Sequence, residues 1–171
     1  AVKAVVIDPT GRVHASASHP LPISRPRDGW AEQDPADWWR GTIAAVREGI
    51  ADLRERRRSP GEIAAVGLSG QMHGSVFLPA IPAGGRSPGG GGFGSGGGGV
   101  SDGDGGPDAR TQALRPALLW NDQRTAAQCA EIERAAGGRD ALIARVGNRA
   151  LPGFTLPKIL WLRAHEPDLF A

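Results

Sequence analysis

The chain opens on a β-branched, apolar run, Val2-Lys3-Ala4-Val5-Val6-Ile7, followed by the turn-forming string Asp8-Pro9-Thr10-Gly11. From Arg12 to Ser18, Val13, Ala15 and Ala17 alternate with Arg12, His14 and Ser16, as in a strand with one solvated face. The pattern predicts a β-hairpin. Pro20, Pro22 and Pro26 then restrict Leu21 to Arg27 to an edge strand or extended segment. The period changes after Gly29-Trp30-Ala31-Glu32-Gln33-Asp34-Pro35. Trp38, Trp39, Ile43, Val46, Ile50 and Leu53 fall three and four apart, which predicts a helix with an apolar stripe. Asp34 is placed to cap it, with Pro35 at the first helical position. Arg54 to Arg58 should be its fraying end, stopping before Pro60.

A short apolar run, Ile63 to Leu68, reads as a buried strand that ends in Ser69-Gly70-Gln71-Met72-His73-Gly74-Ser75. A strand running out into a Gly-flanked polar turn is how open α/β sheets present side chains to a ligand crevice. Gln71 brings amide donors and an acceptor, and His73 an imidazole that donates or accepts; both suit hydroxyl groups. Ser75 to Pro79 reads as another short strand. Leu114 to Trp120 reads as a buried strand leading into Asn121-Asp122-Gln123-Arg124-Thr125. Helices are expected from Ala126 to about Gly137, from Asp140 to Val146, and from Thr155 to His165 with Ile159, Leu160 and Leu162 on one face.

Between Ala80 and Gln112 the composition breaks. Fourteen of the 23 residues from Gly84 to Gly106 are glycine, too flexible a composition to pack a core. A phosphate-cradling loop would need Gly-Lys-Ser/Thr opening a helix, and no lysine lies in this stretch. We therefore read 80–112 as a disordered surface insertion.

Composition narrows the function classes. Twenty basic side chains against 18 acidic ones imply no nucleic-acid or other polyanionic partner, and the basic run at Arg54 to Arg58 reads as a solvated helix end. The single cysteine, Cys129, cannot pair within the chain and fits a reducing, cytoplasmic compartment. No apolar run approaches the roughly 18 residues a membrane span needs. The chain begins at Ala1 inside a predicted strand, which reads as an incomplete chain.

Together these strings resemble the N-terminal domain of the FGGY carbohydrate kinases, over nearly all the chain outside the glycine-rich insertion. Ser69 to Gly74 resembles the family's sugar-contacting segment, most of all in the branch acting on D-xylulose. Gly29 to Pro35 resembles the motif leading into the family's first helix, and Leu119 to Thr125 the second wall of its sugar site. Ala150-Leu151-Pro152-Gly153-Phe154-Thr155 with Pro157, Lys158 and Trp161 is similar to a segment distinctive of the bacterial D-xylulose branch.

The resemblance implies an α/β fold: a ribonuclease-H-like, actin-like ATPase domain with a mixed sheet flanked by helices, incomplete at both ends. Residues 1–79 and 113–171 would be two parts of that one N-terminal domain, with 80–112 inserted where the family has a short turn. It also implies transfer of the ATP γ-phosphate to D-xylulose. ATP and Mg²⁺ would bind mainly through residues outside this chain, and a homodimer of the full-length protein is allowed. The Asp-Gly-Thr phosphate motif belongs just before Val2, and the nucleotide pocket and general-base aspartate belong to a second domain. None of these lies within the 171 residues, so no residue here is assigned a catalytic role and the fragment alone should be inactive.

In the resemblance Met72 and His73 touch the ketose, Gln71 supports the turn, Trp120 lays its indole along the sugar C–H groups, and Asp122 accepts from hydroxyls. The residues by themselves leave alternatives open. Met72 suits a core gap-filler, Trp120 a core position and Asp122 the N-cap of the following helix. Arg149 reads as a solvated side chain, and Asp8 as part of its turn rather than a base. The rival functions are a related kinase for ribulose, gluconate or glycerol, and a non-catalytic remnant that at most binds sugar. Gly70 to His73 departs from the Asn-Gln-Arg-Glu of the glycerol branch.

Overall fold

A computed structural model describes residues 1–80 and 112–171. The glycine-rich segment falls almost wholly outside the described residues. The expected hairpin forms: β1 (Val2–Ile7) pairs antiparallel with β2 (Val13–His19), Val2 opposite His19 and Val6 opposite Ala15. Asp8 closes the turn. Its Oδ1 accepts from the Thr10 N–H at 2.9 Å, the Thr10 hydroxyl at 2.6 Å and the Arg12 N–H at 3.1 Å. The Thr10 hydroxyl bond, and then His14, hold the Asp8 carboxyl below the usual carboxylate range. Asp8 is thus a turn residue.

Helix α1 (Pro35–Glu55) starts where its cap chemistry places it, with the Asp34 carboxylate accepting from the Ala36 N–H at 2.9 Å. The face it buries differs in part from the expected one. Of the expected stripe Leu53 is buried and Trp38, Ile43 and Ile50 are half-buried, but Trp39 and Val46 are exposed, and Gly41, Ala45 and Gly49 are buried in their place. A stripe of small residues lets the helix axis come close to the hairpin. A Cβ on Gly41 would lie 3.0 Å from a Leu21 methyl and 3.1 Å from the His19 ring. Close backbone approach decided the packed face, over side-chain size.

A second ladder joins β3 (Glu32–Gln33) antiparallel to β4 (Ala117–Leu118). Leu118 is fully buried there, which contributes roughly 1.5–3 kcal/mol of transfer free energy. Ser24 bridges to Glu32 and Ser75 to Leu118, so the extended segments on both sides join this ladder. Helices α2 (Ala126–Ala135), α3 (Arg139–Val146), α4 (Thr155–His165) and α5 (Pro167–Phe170) follow, with α2 packed on α4.

Two expectations fail here. Ile63 to Leu68 does not form a buried strand. After a 3₁₀ turn at Pro60–Glu62 the chain runs unpaired, and Leu68 is 94 % exposed. The mixed sheet consequently does not form among the described residues; both ladders are antiparallel. Apolar, β-branched composition supplies a reason to bury a segment, but a strand also needs a ladder edge that accepts it. Only β2 pairs with β1 among the described residues.

Candidate functional site

Ser75 is the point at which the unpaired 63–74 segment is fixed. Its N–H donates to the Leu118 carbonyl at 2.9 Å, and the Leu118 N–H returns a bond at 3.1 Å. Just before it the Gly70–Gly74 turn presents Gln71, Met72 and His73 as exposed side chains, Met72 at 72 %. The alternative of Met72 as a core gap-filler does not fit that exposure. His73 sits at φ 63°, a left-handed conformation uncommon outside glycine. Two contacts hold it there. Its ring lies 4.9 Å from that of Phe154, tilted by 41°, and its carbonyl accepts from Lys158 Nζ.

Lys158 is in the first turn of α4, yet it is 0 % exposed. Its ammonium also donates to the Gly153 carbonyl at 2.9 Å. Burial lowers its pKa to about 8; the Asp122 charge works against that shift, and the Arg124 charge adds to it. Gly153 in turn abuts Trp120: a Cβ built on it would lie 2.5 Å from the Trp120 carbonyl oxygen. The neighbouring Pro152 carbonyl accepts from the Thr125 hydroxyl at 3.2 Å. One ammonium therefore ties the backbone of the 70–75 turn to the 150–154 loop, and that loop is pressed against 120–125. Trp120 itself is 52 % exposed, as a surface for ligand contact requires and a core position does not.

Beneath these segments lies a buried ionic cluster. Asp122 is fully buried, and Oδ2 accepts from the Ala31 N–H at 2.7 Å. Its Oδ1 accepts from the Arg124 N–H at 3.0 Å and from Arg124 Nε at 2.9 Å, while Arg124 Nη2 reaches Oδ2 at 2.7 Å. Arg124 Nη2 also meets Glu32 Oε1 at 2.7 Å, and Arg115 bridges Glu32 and Glu166. The Arg124 guanidinium lies 3.6 Å from the Trp30 ring centroid and 4.8 Å from that of Trp161; the two indoles meet edge to face at 5.6 Å. Formal charges here balance, Asp122, Glu32 and Glu166 against Arg115, Arg124 and Lys158. The Gly29–Pro35 motif gains its meaning from this cluster. Trp30 supplies a ring, Ala31 an N–H and Glu32 a carboxylate, while Gly29, at φ 75°, accepts from the Gln123 N–H at 2.8 Å.

The structure thus brings together all four segments that the sequence singles out. It gives Asp122 a different place from either expected one. Both its oxygens are taken by protein donors, so they do not face a ligand, and Thr125 stands at the start of α2 without a side-chain capping bond. Arg149 is exposed. Lys158, Arg124, Arg115 and Glu32 were not read from sequence as site residues. The available signal for Lys158 was a lone lysine inside the apolar run Leu156 to Leu162. Among the described residues no group of three or more His, Cys, Asp or Glu side chains can hold a metal ion. No described helix is long and apolar enough to cross a membrane.

Comparison with known proteins gives the family. The family described as "FGGY family of carbohydrate kinases, N-terminal domain" matches residues 1–81 and 106–171. The chain is 35 % identical over 170 residues to the xylulose kinase of Bacillus subtilis and 33 % identical over 169 residues to that of Escherichia coli. In each case 99 % of this chain and 27 % of the relative are covered. Among solved structures it is similar to a "xyloylose kinase from Brucella ovis", with a TM-score of 0.71 and 33 % identity over 98 % of this chain and 28 % of that one. The chain spans little more than a quarter of the length of these relatives.

Proposed function

The chain belongs to the FGGY family of carbohydrate kinases, and from that premise we propose that it is the sugar-binding N-terminal portion of an ATP:D-xylulose phosphotransferase. The observation that carries this reading is the convergence of the 70–75 turn, Trp120 and the 150–154 loop around the buried Lys158 ammonium. Phosphoryl transfer asks an enzyme mainly for positioning and charge neutralisation. This domain's share is positioning the acceptor sugar.

In the proposal Met72 and the His73 imidazole contact the ketose. The Gln71 amide supports the turn, and the half-exposed Trp120 indole receives sugar C–H groups. Asp122 acts one layer down, accepting from the Ala31 N–H and holding the Arg124 guanidinium. ATP and Mg²⁺ are the cofactors proposed for the whole protein, acting in the cytoplasm. The described residues offer no metal-ligand cluster.

The test is a substrate panel on the protein as its gene encodes it, following ADP release with D-xylulose, D-ribulose, gluconate and glycerol. D-Xylulose should lead in kcat/KM by about tenfold or more, because a hydroxyl-matched site rejects analogues that leave its polar groups unpaired. Preference for another sugar would reassign the branch. Sugar binding without ADP release would make the protein a binder.

A further inference from the structure

We propose that Lys158 is a positioning residue: its ammonium holds the sugar-contacting turn in its open, left-handed form by tying the His73 carbonyl to the Gly153 carbonyl. The inference rests on the reading that Met72 and His73 meet the sugar. It deepens that reading by naming what keeps them in place.

Three observations carry it. The first is how little else anchors the turn. From Ala64 to Gly74 the backbone joins no ladder, and among the described residues its one hydrogen bond is that from Lys158 to His73, across 85 residues of sequence. The second is the conformation at the anchored residue. His73 stands at φ 63°, where L side chains are strained, and such a backbone persists only when its surroundings over-determine it. The Phe154 ring fixes the imidazole, and Lys158 fixes the carbonyl.

The third is the environment of Lys158. A lysine in the first turn of a helix ordinarily extends into water, whereas this one is wholly buried, at a cost that only satisfied hydrogen bonds offset. Its bonds go to two carbonyls, not to a carboxylate. Asp122, the nearby acid, has both oxygens engaged by Ala31 and Arg124. An ammonium presents several donors from one point and can therefore gather carbonyls from separate segments. Packing alone would be served as well by methionine.

If the turn is held ready before sugar arrives, loosening it lowers the fraction of binding-competent molecules. The apparent affinity falls by that fraction, while the saturated rate is kept. The test uses the gene-encoded protein carrying Lys158→Met, which keeps length but removes the donors, and Lys158→Arg, which keeps charge and donors. Backbone ¹⁵N order parameters of residues 70–74, measured without substrate, should be near the rigid value of about 0.85 in wild type and below about 0.6 in the methionine variant. The ketose KM should rise about tenfold or more in Lys158→Met, with kcat and the ATP KM within about threefold, and Lys158→Arg should recover part of the loss.

A turn as ordered in Lys158→Met as in wild type would overturn the inference. So would a fall in kcat with the ketose KM unchanged. If Lys158→Met does not fold, the wild-type turn decides, because order parameters below about 0.6 there exclude a clamp. If wild type phosphorylates no ketose, the sugar reading fails, while the order parameters still judge Lys158.

Discussion

Replacing Gly153 by alanine probes the joint between the two walls of the site. The added Cβ would stand 2.5 Å from the Trp120 carbonyl oxygen, short of ordinary contact at 3.4 Å by roughly 0.9 Å, and the obstructing atom is backbone. No side-chain rotation relieves that, so the 150–154 loop must withdraw from Trp120. Forced overpacking of this kind costs about 1–3 kcal/mol. For a domain of this size each kcal/mol lowers Tm by about 2–4 °C, giving an expected fall of roughly 2–12 °C. The kinetic effect should be larger in proportion. Gly153 also offers its carbonyl to Lys158, so its retreat pulls on the His73 turn. A displacement near 1 Å in a substrate-positioning group costs on the order of a hundredfold. Scanning fluorimetry and D-xylulose kinetics on the gene-encoded protein measure both, with Gly67→Ala as control. Gly67 has nothing within 4 Å of a built Cβ, and its φ is ordinary, so that change should be neutral or stabilising by about 0.4–1 kcal/mol. If Gly153→Ala behaves like Gly67→Ala in both assays, the close approach of the two walls is wrong.

Arg124→Ala should be the most destabilising single change in the cluster. It leaves the Glu32 and Asp122 carboxylates buried without their shared guanidinium, a loss of about 3–5 kcal/mol in chemical denaturation. Arg124→Lys should recover little of it, because the forked contacts need a guanidinium. His73→Ala should reduce kcat/KM for D-xylulose about ten- to a hundredfold, since a lost hydrogen bond leaves a sugar hydroxyl unpaired. His73→Asn, which tolerates the left-handed backbone, should keep Tm closer to wild type. Lys158 gives a signed pH effect. Its folded pKa of about 8 lies below the unfolded value of 10.5, so the unfolded chain binds more protons between them and stability rises with pH across that window. Wild type should therefore gain on Lys158→Met in denaturation midpoint from pH 8 to 10. A constant gap would show that the ammonium is not desolvated.

Much of this was legible in the chain because it is local. The hairpin follows from alternation about Asp8 to Gly11, the start of α1 from Asp34-Pro35, and α2 to α4 from spacings of three and four. The failures are non-local. Ile63 to Leu68 has strand composition, but composition does not say which edge is open to it. The buried face of α1 is hard to read because large apolar residues draw attention, while the bare Cα of Gly41 sets how near the hairpin can come. Lys158, Arg124 and Glu32 look like surface charges until their partners arrive from 83 to 92 residues away. For Arg124 and Glu32 that partner is each other, 92 positions apart. Asp122 was placed in the right neighbourhood for the wrong reason: its string marks the site, but its carboxylate serves the Ala31 N–H.

The long reach of these bonds also sets an order on synthesis. The hairpin and α1 contain their own contacts and can assemble once the chain has emerged to the end of α1. Glu32 lies at the foot of that unit, but Arg115 is 83 residues further along. At roughly 5–20 residues per second a ribosome needs about 4–17 s to deliver it. Throughout that interval Glu32 stays hydrated and Trp30 has neither Arg124 nor Trp161 to cover it. The 70–75 turn waits as well, because Lys158 is translated 85 residues after His73. The nascent chain thus holds an early unit with its own contacts and a later part that completes the ionic cluster.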